Sequence, residues 1–369
     1  MLDGVKHYGW QVSPYSAKTR AYLRFAKVAF EDVEPSAFVL KRRIARGVGR
    51  LIMPTVELGD GRWLQDSSVI IDFFDAQGGT PSLCPPGSNQ AFASALVEFF
   101  ADEWLPMAAL HYRWNNEENA AFALDEFARS AFPRLPRFLG RPLIKGMAQK
   151  MQSYLQVLGV SEELHEPVES CVRALIRSLD AHFSVSSYLL GERPCLGDFA
   201  LYGPLWAHLY RDPASRPLFE GSPALRAWMA RVGEGAPMEG EFFSDDEVPS
   251  SLNPLFTYAL QDQWAWVRTL VGAIDRYVEA HPDAKRVPRA LGSAEFTFAG
   301  QRSTRKLATF VQYKAQRSEA AFRVDEPKAL AWMESVLGAG SGSGVVPEIA
   351  NPFVLQHFKP VLAKRVTSP

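Results

Sequence analysis

Residues 53–74 read MPTVELGDGRWLQDSSVIIDFF, and within this stretch the apolar pattern changes from strand-like to helical. Thr55, Val56 and Leu58 form one arm of a hairpin, Gly59, Asp60 and Gly61 supply turn residues that tolerate positive φ, and Arg62 to Gln65 form the return arm. Asp66 or Ser67 then caps a helix whose apolar side carries Val69, Ile70, Phe73 and Phe74. Upstream, VKHYGW (Val5–Trp10) predicts a short strand, and Ser13-Pro14 predicts a turn with Pro14 as first helical residue and Ser13 as its N-cap. Tyr22, Phe25, Ala26 and Ala29 recur at i, i+3, i+4 and i+7, so this helix is expected over about Pro14 to Ala29. A weaker strand at Asp32 to Pro35 and the basic run KRRIARGVGR (41–50) fill the gap to Met53. The order is βαβ, an irregular helical segment, a hairpin and a closing helix: a compact mixed-sheet unit assigned to residues 1–79.

GGTPSLCPPGSN (78–89) is linker chemistry and marks a boundary. From 90 to 235 the period is helical nearly throughout, as in AFASALVEFFADEW and VESCVRALIRSLDAHF, which predicts an all-α domain. A Pro-, Gly- and acid-rich passage separates a third region, 250–369, that opens on a helix, LFTYALQDQWAWVRTLVGAIDRYVEA. AEFTFAGQRSTRKLATFVQY (294–313) then reads as a hairpin, and GAGSGSG (338–344) as a flexible connection. The fold class is α+β.

The chain has 369 residues, 47% of them apolar and 22% charged, with a net charge of −1, which is the balance of an ordinary globular protein rather than a disordered one. Near-neutrality argues against a bulk polyanion, so no nucleic acid is expected. No run of 18 uncharged apolar residues is present and the first residues show no apolar leader, so no membrane association is expected. Cys84, Cys171 and Cys195 are odd in number and widely spaced, which fits neither a disulfide framework nor a zinc site. The expectation is a cytoplasmic, metal-free protein.

At YGWQVSPYSAKTRAYL, MPTVELGDGRWLQDSSVIIDFF and LLGERPCLGDFALYGPL the chain resembles the glutathione transferase superfamily, in the branches with an S/C-P-Y/F turn after strand one. The resemblance covers about Val5 to Val232. It implies a thioredoxin-like N-terminal domain, an all-α glutathione-transferase-like C-terminal domain, and beyond them an additional, mostly α extension with a hairpin. It also implies glutathione as co-substrate, with no metal, and the option of a homodimer. A hydroxyl at a helix N-terminus can donate to the sulfur of glutathione and favour its thiolate, which makes Ser13 the candidate catalytic residue; the plain alternative is an ordinary N-cap. Serine there cannot form mixed disulfides, so conjugation or isomerisation is implied and reductase chemistry is not. Tyr8 is the rival hydroxyl, with simple core packing as its other reading.

Pro54, by the resemblance, follows a cis bond that turns the main chain of Met53 toward the cysteinyl part of glutathione. Ser67, at a helix N-terminus, takes the γ-glutamyl carboxylate, and Asp66 pairs with the ligand's ammonium. Arg46 and Arg50 lie in a loop that often meets the glycine carboxylate, or form a solvated basic loop. Trp104, Ala108 and Tyr112, at i+4 spacing, line a pocket for a small hydrophobic electrophile, unless the stripe is core or subunit interface. His111 has no visible partner, and Cys195 stands where the family has a Ser or Thr cap, so that cap is expected to be weak. Eight basic residues (Lys285, Arg286, Arg289, Arg302, Arg305, Lys306, Lys314, Arg317) face one acid, Glu295, in 285–317 and read as a solvated strand face. The activity implied is a glutathione S-transferase-like enzyme. The alternative is a silent scaffold that binds a protein partner through the extension.

Overall fold

The computed structural model describes residues 3–78, 82–235 and 240–363. Parts of the two linkers and of the tail (79–81, 236–239 and 364–369) lie outside the described residues. The N-terminal unit runs β1 (Val5–Tyr8), α1 (Pro14–Phe25), β2 (Phe30–Val33), short turns at α2 (Ala37–Val39) and α3 (Ala45–Val48), then β3 (Thr55–Glu57), β4 (Trp63–Gln65) and α4 (Ser67–Asp75). The sheet order is β2-β1-β3-β4, with β1 parallel to β2 and antiparallel to β3, and β3 antiparallel to β4. This is the thioredoxin-like arrangement. α1 ends at Phe25, not Ala29, because Lys27 takes a left-handed φ of 51° that turns the chain toward β2.

The helical domain comprises α5 (Ser88–Glu103), α6 (Pro106–Trp114), α7 (Glu117–Ala131), α8 (Arg137–Leu158), α9 (His165–Phe183), α10 (Leu196–Pro204) and α11 (Pro223–Glu234). Pro106, which has no N–H to continue a helix, opens α6, so the apolar stripe read as one helix through Trp104 and Tyr112 is divided at Trp104 and Leu105. At the start of α10 the Asp198 carboxylate accepts the Cys195 N–H at 2.9 Å, the Leu189 N–H at 3.1 Å and the Trp228 indole at 2.9 Å. Burial nevertheless pushes it up to about 6. The Cys195 thiol donates to the same carboxylate at 3.3 Å, so the residue expected to be a poor acceptor works as a donor.

The third region contains α12 (Asn253–Thr257), α13 (Trp264–Ala280), β5 (Ala290–Phe298), β6 (Gln301–Ala308), α14 (Phe310–Val324), α15 (Glu326–Leu337), β7 (Phe353–Gln356) and β8 (Lys359–Leu362). The second arm of the first hairpin ends at Ala308, and the TFVQY expected to extend it turns into α14. The β7–β8 hairpin was not expected. Its turn places His357 (φ 47°) and Phe358 (φ 61°) in the left-handed region without the Asn or Gly that signals such a turn. This region shares the core of the helical domain: Phe92 of α5 packs against Phe322 of α14 and Trp332 of α15, and Ser318 donates to the Ala95 carbonyl at 2.7 Å.

Candidate functional site

Tyr8 pairs with Thr55, and Thr55 with Gln65, so three strands end in one row across the sheet. The chain leaving β1 toward Ser13, the chain entering β3 through Met53-Pro54 and the chain leaving β4 into Asp66-Ser67 therefore meet at the same edge, with neighbouring strands about 4.8 Å apart. α1 and α4 both begin there, and two helix N-termini bring free N–H groups and partial positive charge to one place. The Met53–Pro54 bond is cis.

Ser13 is half-buried and its Oγ accepts the Ser16 N–H at 3.3 Å, which is the N-cap expected from the sequence. Accepting one N–H leaves the hydroxyl proton free to donate elsewhere. Two long-range bonds fix the turn. Arg113 of α6 donates to the Val12 carbonyl at 3.0 Å, and the Tyr15 hydroxyl donates to the Asp102 carbonyl at 2.8 Å. Tyr8 is committed elsewhere: its hydroxyl donates to Glu57 at 2.8 Å, and burial together with that carboxylate holds its proton well above the usual range.

Asp66, at φ 83°, is the N-cap of α4 and accepts the Ser68 N–H at 3.0 Å. Its carboxylate does not wait open for a ligand. Lys314 Nζ, from α14, lies 3.5 Å from Asp66 Oδ1, 2.5 Å from Ser68 Oγ and 3.0 Å from Asp102 Oδ2. Lys18 of α1, 0% exposed, pairs with Glu98 and Asp102 of α5 at 2.8 Å each. Arg317 of α14 pairs with Glu98 at 3.0 Å and Asp72 at 2.5 Å. Burial opposes the ionisation of Glu98, but Lys18, Arg317 and Lys314 outweigh it and hold the carboxyl well below the usual range. Sequence reasoning missed this cluster, although Lys18 stands one turn before Tyr22 on the apolar stripe of α1, and Glu98 and Asp102, four residues apart on one face of α5, follow the apolar run Ala95 to Val97 and flank Phe99 to Ala101.

Other expectations are corrected. Lys314, Arg317 and Arg305 point inward as partners of buried acids or rings, while Lys285, Arg286, Arg289, Arg302 and Lys306 remain exposed. Trp104, 2% exposed, is covered by the β5–β6 hairpin, with Phe296 edge-on at 5.8 Å and the Arg305 guanidinium 4.8 Å above the ring. It is core between two regions instead of an open wall. Ala108 is buried, and half-buried Tyr112 packs against His111, whose Nε2 pairs with Glu169 at 3.1 Å. Arg46 is exposed; Arg50 donates to Gln65 and to the Phe358 carbonyl, the latter at 2.9 Å. Among the described residues no group of three or more His, Cys, Asp or Glu could hold a metal ion, and no helix is long and apolar enough to cross a membrane.

Glu103, at the end of α5 beside this cluster, carries a carboxyl that burial pushes up to about 7 against the pull of Lys314. A folded state that keeps this proton while the unfolded chain releases it near 4.5 is helped fully below 4.5 and loses that help as pH rises through 7. Glu103→Gln is expected to raise Tm by about 2–4 °C at pH 8 and to leave it nearly unchanged at pH 5. Equal shifts in melts at the two pH values would refute this reading.

The chain matches the family model for "Glutathione S-transferase, N-terminal domain" over residues 8–82 and that for "Glutathione S-transferase, C-terminal domain" over 161–231. Similar solved structures include a glutathione S-transferase from Xanthobacter autotrophicus Py2, 20% identical over 62% of this chain and 92% of that one, with a TM-score of 0.37. The β-etherase LigF from Sphingobium sp. strain SYK-6 is 18% identical over 62% of this chain and 94% of that one, with a TM-score of 0.44. A glutathione S-transferase from Methylobacillus flagellatus KT, with glutathione bound, is 16% identical over 64% of this chain and 100% of that one, with a TM-score of 0.38. No curated protein matches the chain.

Proposed function

From a chain that belongs to the glutathione S-transferase superfamily by both its N-terminal and its C-terminal domain, we propose that it binds glutathione at the row formed by Ser13, Met53-Pro54 and Ser67 and activates the thiol for attack on a small hydrophobic electrophile. The observation that carries this reading is the meeting of the Ser13 turn, the Met53-Pro54 entry to β3 and the N-terminus of α4 at one edge of the sheet. A free thiol, with a pKa of about 8.5, is mostly protonated at neutral pH, so the protein must favour the anion. The free proton of the Ser13 hydroxyl and the positive end of α1 supply a donor and a favourable field at the same spot. The main chain of Met53 meets the cysteinyl unit, and the Ser67 hydroxyl together with the free N–H groups at that helix start takes the γ-glutamyl carboxylate. Serine rather than cysteine at position 13, beside the thiol, supports conjugation or isomerisation, since no mixed disulfide with glutathione can form there. A cytoplasmic setting and a homodimer belong to the same proposal.

Calorimetric titration with reduced glutathione tests it. Wild type is expected to bind in the micromolar to low-millimolar range, and Ser67→Ala to weaken binding by about tenfold. Ser13→Ala is expected to keep most of the affinity and lose the thiolate absorbance at neutral pH. Absence of binding at millimolar glutathione would overturn the proposal.

A further inference from the structure

Asp66 is 8% exposed, and the cation facing it belongs to the chain itself. The Lys314 ammonium has three protons and three acceptors within reach: Asp66 Oδ1 at 3.5 Å, Asp102 Oδ2 at 3.0 Å and Ser68 Oγ at 2.5 Å. It is installed before any ligand arrives, because Ser318 and Arg317 anchor α14 to α5 and α4. Around it, Asp66, Asp72, Glu98 and Asp102 each have a partner among Lys18, Lys314 and Arg317. A ligand ammonium brought to Asp66 would have to displace Lys314 or share one carboxylate with it against like-charge repulsion. A ligand carboxylate at the first turn of α4 meets the opposite situation, with free N–H groups and a fixed ammonium one residue away, on Ser68.

We propose that Lys314 is a specificity-determining residue of the thiol-ligand site: it takes the place beside Asp66 that a ligand ammonium would fill, so the site selects a γ-glutamyl-type thiol by its carboxylate and is indifferent to its amino group. This rests on the glutathione site proposed above. The ligand class accordingly includes thiols whose terminal acid carries no amine, and Asp66 serves as cap and counter-ion within the chain. Removing the Lys314 charge without removing Asp66 restores an unpaired carboxylate and with it a reason to recognise an amine.

The experiment titrates the full chain with glutathione and with its desamino analogue, in which the γ-glutamyl amine is replaced by hydrogen. Wild type and Lys314→Arg are expected to bind the two ligands within about twofold, and Lys314→Met to prefer glutathione by about tenfold or more. The wild-type comparison stands even if Lys314→Met does not fold. Wild type losing tenfold or more with the desamino ligand overturns the proposal and leaves the glutathione site intact. A folded Lys314→Met without an amine preference also overturns it. Wild type that binds neither ligand at millimolar concentration overturns both this proposal and the glutathione reading beneath it.

Discussion

Arg113→Met is expected to lower the free energy of unfolding by about 3–5 kcal/mol, because it leaves Asp212 as a buried anion without its partner. Arg113 is 2% exposed and donates twice to Asp212, at 2.7 and 2.8 Å, and once each to the Val12 carbonyl at 3.0 Å and the Ala207 carbonyl at 2.8 Å. Burial already lifts the Asp212 carboxyl above its usual value despite this guanidinium, so losing the guanidinium deepens the penalty for the charged form. The double change Arg113→Met with Asp212→Leu is expected to recover a large part of the loss, since a well-packed apolar pair avoids the desolvation of both ions. Urea unfolding of the two variants checks both statements, and a loss below about 1 kcal/mol for the single variant would refute the first. The effect reaches the site. Val12 precedes Ser13, so a folded Arg113→Met protein is expected to hold the Ser13 turn less firmly and, on the proposed glutathione site, to show a weaker thiolate signal with glutathione.

Lys18→Met is expected to cost a similar amount, about 3 kcal/mol, at pH 7. Lys18 joins α1 to Glu98 and Asp102 at 2.8 Å each and lies 3.5 Å from Ser68, so one side chain holds together the N-terminal unit and the helical domain beneath the third region. Without it, Glu98 and Asp102 keep only the cations of α14. A carboxyl held below its unfolded value contributes stability above about 4.5 and loses it as pH falls toward the folded value. The gap between wild type and Lys18→Met should accordingly be full at pH 7 and narrow below pH 4. Unfolding curves that differ equally at both pH values would show that Lys18 acts through packing alone.

The elements around the site were legible because their signals are local. Ser13-Pro14 announces a capped helix within a few residues, Gly59-Asp60-Gly61 announces a tight turn, and Asp66-Ser67 announces the next helix; the structure has all three. The sequence also left Asp66 or Ser67 open as the cap, and the left-handed φ of Asp66 with its bond to Ser68 assigns the role to Asp66. The β7–β8 hairpin escaped notice because its turn pays backbone strain at His357 and Phe358 without the usual residues. The electrophile wall at Trp104 failed for a different reason: helical spacing identifies an apolar face and says nothing of what covers it.

By itself, then, the sequence determined the α+β class, the order βαβ, hairpin and closing helix of the first unit, and the residues that cap and turn at the sheet edge, since propensity, period and capping act over a few residues. Only the tertiary structure decided which charges are paired. Lys314 meets Ser68 across 246 residues of chain, and Lys18 meets Asp102 across 84. A lysine on a helix reads the same whether it faces water or a buried carboxylate. The difference lies in desolvation and Coulomb attraction, which exist only once distant helices have packed together.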